Sequence, residues 1–366
     1  MNYVDGMFDV DTSNNDGVDD VHNADLANGV NNANSTDTAV GLHTAADGRA
    51  DGARADSART ADERTVGTSF IPRRQQRSLL RMVLTVFRSV WKHGEGRLSL
   101  VVMSVWLVVS LVSLIWTPYS LLDTDGYHVW AKPSAEHWLG TDGTGADVLT
   151  WLMAGSRTNL LIVVLTVALA AVFGLLFVAA MVCRASALAN ISVVVIDALI
   201  SIPTVLIALI LAVPFGSSIA VVVVACGFGY GLNLARVVRP QALLASRSAY
   251  VECALWGGAS SMRVLVTHIL PNIAPMMLVQ LSLSAGTAVL AESGLTYLGI
   301  GVPAGVPSWG HSLATSVKFI NVFPLTVLWP GLVVTVVVVA LNLLGDALRD
   351  AIDPLMNPEL RGAYER

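Results

Sequence analysis

Two carboxylates inside long apolar stretches are the residues of this sequence best placed to do chemistry. Asp197 lies about two turns into one stretch, shortly before Pro203, and Glu292 lies near the end of another. Ionisable residues in membrane spans are costly and often serve a function, and a proline kinks a helix by removing a backbone donor. All three are therefore candidates for a polar path or gate. Alternatively, Asp197 has an interfacial hydrogen-bonded role, and Glu292 only faces water.

The remaining reactive side chains form no catalytic or metal-binding pattern. The sequence has neither HExxH nor GxSxG, and it has no GxxxxGK[ST] loop for ATP. Cys183, Cys226 and Cys253 show no CxxC spacing, which argues against a zinc site or a disulfide framework. His128 and His137 match no metal-ligand spacing and are expected to be solvated loop residues. We predict no catalytic residue, no metal site and no cofactor bound by this chain.

The composition describes the elements that must hold these residues. Of the 366 residues, 54% are hydrophobic and only 13% are charged, about half the usual share of roughly 25%. A soluble enzyme cannot easily bury so much apolar surface. The net charge of −5, without a basic domain, argues against nucleic-acid binding. The composition indicates a multi-span membrane protein.

Residues 1–70 differ from the rest of the chain. They contain 12 Asp and one Glu against four Arg, a net charge of −9, whereas the remainder carries +4. They have almost no large apolar residues, so we predict a disordered acidic tail rich in Asn and Asp. The tail lacks the basic region followed by an apolar region that a signal peptide needs, so we do not read it as one. A docking arm is the alternative for this tail.

Residues 77–97 read as a basic amphipathic helix. Its basic side chains fall within about 60° of one another on a helical wheel, and apolar side chains occupy the opposite face. Such a helix suits an anionic membrane surface, although packing on a partner protein is the alternative. The basic residues are Arg77, Arg81, Arg88 and Lys92; the apolar ones are Leu79, Val83, Val86, Phe87 and Val90.

Charge-free stretches predict six membrane spans within a domain at residues 98–346. Each span needs about 20 apolar residues, and the longest stretch, 198–235, divides at a Pro-Phe-Gly break at 214–216. We predict an all-α integral membrane protein with six transmembrane helices, followed by a tail at 347–366. The spans lie at about 98–117, 158–183, 189–213, 217–235, 273–292 and 324–345.

The distribution of Lys and Arg orients these spans in the cell membrane. Basic residues near span ends favour the cytoplasmic side, which places both termini in the cytoplasm. The loops on the cytoplasmic side contain Arg81, Arg88, Lys92, Arg97, Arg184, Arg236, Arg239, Arg247, Arg263, Arg349, Arg361 and Arg366, against Lys132, Arg157 and Lys318 on the other side.

The cytoplasmic loop at 236–272 contains a helix-turn-helix pattern. Ser248 is placed to cap a helix at 249–256, which the two glycines at 257–258 end. A second helix starts at Ser260 or Ser261 and places apolar side chains on one face. A rigid, partly apolar projection of this kind suits docking to another protein. The apolar face consists of Met262, Leu265, Val266 and Ile269.

This loop resembles the EAA loop of ABC importer permeases. The family pattern is E-A-A, three residues, G, nine residues and I-x-L-P; here Glu-Cys-Ala stands at 252–254, glycine at 258 and His-Ile-Leu-Pro at 268–271. Cys253 replaces the central alanine of E-A-A. A histidine replaces the isoleucine of I-x-L-P, as is common in the peptide branch of the family. The resemblance implies that ATPase coupling involves Tyr250, Glu252, Ala254, Gly258, Ala259, His268, Leu270 and Pro271.

Further motifs resemble the C-type subunit of the dipeptide, oligopeptide and nickel permeases. They extend in collinear order over about 78–356. One departure is Ala146, where the family usually has arginine. The motifs are His-Trp-Leu-Gly-Thr-Asp at 137–142, Ser-Ile-Pro-Thr at 201–204, Leu-Gly-Ile-Gly at 298–301, Pro-Ser-Trp-Gly at 307–310 and Asn-Leu-Leu-Gly-Asp at 342–346.

The resemblance implies a type I ABC importer permease fold with a cytoplasmic coupling helix. Its implied partners are a homologous second permease, two ATPase subunits that bind ATP and Mg, and an extracytoplasmic substrate-binding protein. Peptides are the expected substrate, and nickel is the alternative. The competing classes lack their own signatures: a channel needs a filter or charge ring, a receptor needs an output domain, and a membrane enzyme needs catalytic residues.

Overall fold

The computed structural model describes residues 79–183 and 186–352, which fold into helices joined by loops. Within these ranges there are eleven α-helices and one π-helix. They are α1 Leu79–Lys92, α2 Gly94–Ile115, α3 Val148–Met181, α4 Ser186–Ile200, α5 Thr204–Phe215, α6 Ile219–Ser246, α7 Ala249–Trp256, α8 Ser261–Val264, the π-helix Leu265–Ile269, α9 Leu270–Tyr297, α10 Trp309–Val317 and α11 Pro324–Ile352.

Five helical stretches of the described chain are long and apolar enough to cross a membrane. Four are α2, α3, α6 and α11, and the fifth is a continuous rod of 37 residues, Ser261–Tyr297, formed by α8, the π-helix and α9. The sixth candidate is the bent pair α4 and α5. The predicted all-helical architecture is therefore present.

Helix α3 lies at the centre and packs closely along α6 and α9. Glycines permit the approach of α3 to α6: a Cβ at Gly174 would lie 2.5 Å from Cδ2 of Leu234, and one at Gly231 would lie 2.6 Å from Cβ of Phe173. Small residues bring helix backbones together in this way inside membranes, where helices associate by packing and hydrogen bonding. Helix α11 completes the bundle against α9 and α2.

Two helices extend beyond the predicted spans because a charge does not end a helix. Helix α3 begins at Val148, ten residues before the predicted start at 158, and Asp147 caps it by accepting from Thr150 N at 2.8 Å. Arg157 lies inside α3 and donates to the Ser113 carbonyl at 2.8 Å. Helix α6 similarly continues past 235 through two arginines to Ser246.

The predicted third span, 189–213, is not one straight helix. Helix α4 ends at Ile200, α5 starts at Thr204, and their axes are bent by 83°. Pro203 occupies the N-cap position of α5 with an extended ψ of 133°. A proline has no N–H to continue the first helix but fits just before a second one. The expected kink at Pro203 is thus a complete break.

The predicted helix at 77–97 does not continue to residue 97, because a break at position 93 divides it between α1 and α2. Helix α1 ends at Lys92, and His93 starts α2 in extended geometry, so Arg97 belongs to α2. Val90 is buried against Ala347 and Ala351 of α11, so part of the apolar face packs on this chain itself. The tail at 1–70, Arg77 and residues 353–366 lie outside the described residues, whereas 347–352 continue α11.

The loop at 116–147 is tightly folded, contrary to the expectation of a solvated segment for His137. Its Nδ1 lies 3.0 Å from Oδ1 of Asp147, and its ring centroid lies 4.8 Å from that of Tyr119. This loop and α10 lie at the same end of the bundle as the start of α3. We call it the α10 end, and the opposite end, where α7 lies, the α7 end.

Candidate coupling segment

Helix α7 is fixed to the core of the α7 end through one buried side chain. Val251 is only 1% exposed and packs in a cluster with Val238 of α6 and Ile273 of α9. Ser248 occupies the N-cap position, but its hydroxyl donates to the Ala245 carbonyl at 2.6 Å. The predicted side-chain cap is therefore wrong, since Ser248 ties α7 to the preceding helix instead.

A Schellman turn ends α7. Gly258 has a φ of +84°, its N–H donates to the Leu255 carbonyl at 3.0 Å, and the Ala259 N–H donates to the Ala254 carbonyl at 3.0 Å. This pair of hydrogen bonds defines the motif, and its left-handed residue is usually glycine. Three of the residues singled out in the sequence, at 254, 258 and 259, thus contribute to the turn through their backbones.

The second arm of the segment contains a π-helix that the sequence did not reveal. Ser260 caps α8 by accepting from Arg263 N at 3.3 Å, and the next five residues form the π-helix. The wider turn divides the predicted apolar face: Met262 and Val266 are exposed, whereas Ile269 is buried. A 3.6-residue period cannot register an inserted residue, and such insertions often occur at functional sites.

The two arms touch each other where the π-helix joins α9. The ring centroid of His268 lies 5.9 Å from that of Tyr250, and Asn272 Nδ2 lies 3.4 Å from the Tyr250 hydroxyl. Leu270 packs against the core cluster of the α7 end. Pro271 lies directly after the π-helix, inside the continuous rod Ser261–Tyr297. These contacts make the two arms one unit.

The outward face of α7 combines a carboxylate with exposed apolar groups. Glu252 is exposed and forms no ion pair with the arginines of its own loop. Trp256 is 90% exposed, and Met262 beyond the turn is 68% exposed. Tryptophan is enriched among the residues that contribute most binding energy at protein interfaces. Sequence reasoning missed Trp256, although its position at the helix end, directly before two glycines, was a usable signal.

Comparison with known proteins places this segment in a family. Residues 170–358, just over half of the chain, match the family described as the binding-protein-dependent transport system inner membrane component. The chain is also 37% identical over 270 residues to a probable peptide ABC transporter permease, y4tQ, of Sinorhizobium fredii, covering 74% of this chain and 92% of the relative. The chain belongs to this permease family.

Further relatives of the permease bear different substrate names. The dipeptide transport system permease DppC of Alkalihalophilus pseudofirmus is 30% identical over 270 residues, covering 74% of the permease and 89% of DppC. The nickel transport system permease NikC of Escherichia coli is 31% identical over 258 residues, covering 70% and 93%. The permease is thus an ABC importer subunit that spans the membrane several times and transports without enzymatic activity of its own.

Of the three candidates for a path or gate, Asp197 and Pro203 lie at the end of α4, whereas Glu292 lies on α9. Asp197 is exposed on α4, with Oδ1 3.8 Å from Nε of Arg236 on α6, and Pro203 lies at the break between α4 and α5. Glu292 is fully buried, so in this structure it neither lines an open path nor faces water. One partner, Asn159, lies 133 positions away in sequence. No local pattern reveals such a contact.

Proposed function

We propose that the coupling segment, residues 249–271, docks the permease onto an ATPase subunit. The support is geometric: α7 is exposed on one side, rooted in the core on the other, and ended by a turn with fixed backbone hydrogen bonds. A rigid projection of this kind transmits force from a partner without bending. The exposed Trp256 supplies an apolar anchor, and Glu252 supplies a charge beside it.

The docked helix would move the spans because it joins them without a flexible link. The same helical rod that begins at Ser261 beside α7 continues to Tyr297 at the α10 end. Nucleotide-driven closure of two ATPase subunits, which bind ATP and Mg, would displace α7 and the rod together. With a homologous second permease, the bundle would then alternate between two accessible states.

The orientation that this function needs places the α7 end in the cytoplasm. The Lys and Arg of the loops favour that arrangement, and both termini would then be cytoplasmic. An impermeant thiol reagent applied to intact cells tests it, with a single cysteine introduced at Trp138 or at Arg247. We expect labelling at position 138 alone, and labelling at position 247 would refute this orientation.

Peptides are the proposed substrate, delivered from outside by a substrate-binding protein. Support comes from the peptide permease at 37% identity. Nickel is the second candidate because NikC covers a comparable share of the permease. Uptake of labelled peptide and of radioactive nickel by cells with and without the permease gene distinguishes them. Loss of nickel uptake alone would overturn the peptide assignment.

The docking role is tested by replacing α7 in the full complex. A Gly-Ser sequence of equal length at residues 249–256 that retains Val251 removes the helix but keeps its buried contact with the spans. A control variant replaces the four residues 121–124 in the same way, in the loop of the α10 end. We expect the α7 replacement to abolish co-purification of the ATPase from membranes and the control to retain it. Equal retention by both variants would overturn the docking role.

A further inference from the structure

A buried carboxylate lies near the α10 end of α9, the helix whose other end adjoins the coupling segment. Glu292 is 0% exposed. Its Oε2 accepts from Asn159 Nδ2 at 3.0 Å and from the Ser293 hydroxyl at 3.2 Å, while Oε1 accepts from the Thr296 hydroxyl at 3.0 Å. The carboxylate therefore joins α9 to α3.

One of the donors that hold the carboxylate also holds the polypeptide beyond it. The Thr296 hydroxyl accepts from Val302 N at 3.0 Å, and the Ser308 hydroxyl accepts from His311 N at 3.1 Å as the N-cap of α10. The Thr296 hydroxyl thus bridges Glu292 to a backbone amide of the 298–308 loop. That loop ends at Ser308, the residue that caps α10.

Helix α10 packs closely against α3 and α9 beside this hydrogen-bond network. Trp309 is 0% exposed, and its Nε1 donates to the Leu152 carbonyl of α3 at 3.0 Å. Gly310 lies so close to α9 that a Cβ would be 2.8 Å from Cα of Ser293. The Leu-Gly-Ile-Gly and Pro-Ser-Trp-Gly motifs therefore lie in the region where α10 packs on α3 and α9.

Burial alone does not account for a carboxylate at this position. Within the described residues, no Lys, Arg or His side chain forms an ion pair with Glu292. A buried carboxylate without a basic partner costs much more free energy than an apolar side chain of similar size. What the carboxylate offers is the capacity to accept several hydrogen bonds at once, and here they come from Asn159 of α3 and from Ser293 and Thr296 of α9.

One continuous helix, the rod, connects this hydrogen-bond network to the coupling segment. Leu270 and Glu292 are 22 residues apart on one helix, which corresponds to a rise of about 33 Å. Pro275 lies within this helix, yet the helix continues without a break. A displacement at the α7 end therefore reaches the α10 end through one covalent rod.

We propose that Glu292 is a positioning residue that fastens the 298–308 loop, and through it α10, to the rod, so that α10 moves with α9 during the nucleotide cycle. This inference rests on the proposed function, because the displacement starts at the docked coupling segment. Glu292 itself contacts neither ATP nor substrate in this account. It fixes the position of α10 relative to α9 at the α10 end of the permease.

The test follows α10 by the labelling rate of one cysteine in the reconstituted complex with its co-purified ATPase. The native cysteines are replaced, and a T315C reporter is placed on the exposed side of α10. Labelling by an impermeant maleimide is compared without nucleotide and with ATP, Mg and vanadate trapped in the ATPase. We expect two different rates in the otherwise unmodified permease. We expect E292A to retain ATP hydrolysis but to give one rate under both conditions.

Two further variants separate positioning from mere folding. N159D/E292Q exchanges the acceptor and the donor of one hydrogen bond, so it should recover part of the rate difference that E292A loses. T296V keeps the carboxylate but removes the bridge to Val302, so it should reduce the difference while the complex still assembles. Co-purification of the ATPase reports assembly in every case.

The outcomes distinguish this inference from the proposed function. If E292A kept the full rate difference, or if the unmodified permease showed none while it hydrolysed ATP, the role of Glu292 would be overturned and the docking role would stand. If E292A and N159D/E292Q lost the difference equally, the hydrogen-bond assignment would be wrong. Failure of the ATPase to co-purify with the unmodified permease would overturn both proposals.

Discussion

Substitution of Gly258 by valine should weaken ATPase docking through backbone strain alone. Gly258 has a φ of +84°, and a Cβ built there meets no atom within 4 Å. Steric clash within the permease therefore adds nothing, and the cost is that of a left-handed β-branched residue, about 1–2 kcal/mol. That cost corresponds to a factor of about 5–30 in the ratio of closed to open turn.

The consequence for docking follows from the population of the closed turn. If only the Schellman-closed form presents α7 correctly, the affinity for the ATPase falls by up to the same factor of about 5–30. Membrane insertion should not change, since it depends on the apolar spans. The assay measures the ATPase retained by the purified permease and the stimulation of hydrolysis by loaded binding protein.

The matched control is Gly258→Asn. Asparagine adopts the left-handed region far more readily than valine, and both fill the same open space. We expect the asparagine variant to retain most docking and the valine variant to lose it. Equal loss in both would show that bulk at an ATPase contact matters rather than strain. Equal retention would refute the role of the turn in docking.

Two other predictions concern opposite ends of the permease. Glu252→Lys reverses the charge on the exposed face of α7 and should reduce ATPase co-purification, with a neutral Glu252→Gln variant in between; unchanged co-purification would exclude a charged contact there. At the α10 end, burial lowers the pKa of His311 below its ordinary value, so the folded state binds fewer protons than the unfolded state in acid. Stability should therefore fall as pH drops below about 6.5, and His311→Gln should flatten this fall in thermal unfolding measured at several pH values. An unchanged pH slope would contradict the assignment.

The coupling segment was largely readable from sequence because its signals are local. Two adjacent glycines after an eight-residue helix predict a left-handed turn, and the structure places that conformation at Gly258. Similarly, Pro203 indicated a disturbance of its span, although the size of the bend, 83°, depends on how α5 packs. Signals of this kind require only the identity of neighbouring residues.

The features that sequence reasoning missed depend on distant contacts or on an altered helical period. Glu292 is buried because Asn159 and the 298–308 loop surround it, and neither adjoins it along the chain. The π-helix shifts the face on which Val266 lies. Arg157 was placed in the loop before the span at 158–183, but it lies inside α3, where it donates to a carbonyl of α2.

Site-specific photo-crosslinking from position 256 shows directly whether α7 contacts the ATPase subunit. Trp256 is 90% exposed at the end of α7, and Tyr127, at the α10 end, is 98% exposed and serves as the matched position. A photo-crosslinking amino acid is introduced at each position in turn in the full transport complex. If α7 docks onto the ATPase, position 256 should give a crosslink to the ATPase subunit and position 127 should give none. A crosslink from position 127 alone, or equal yields from both positions, would contradict that docking.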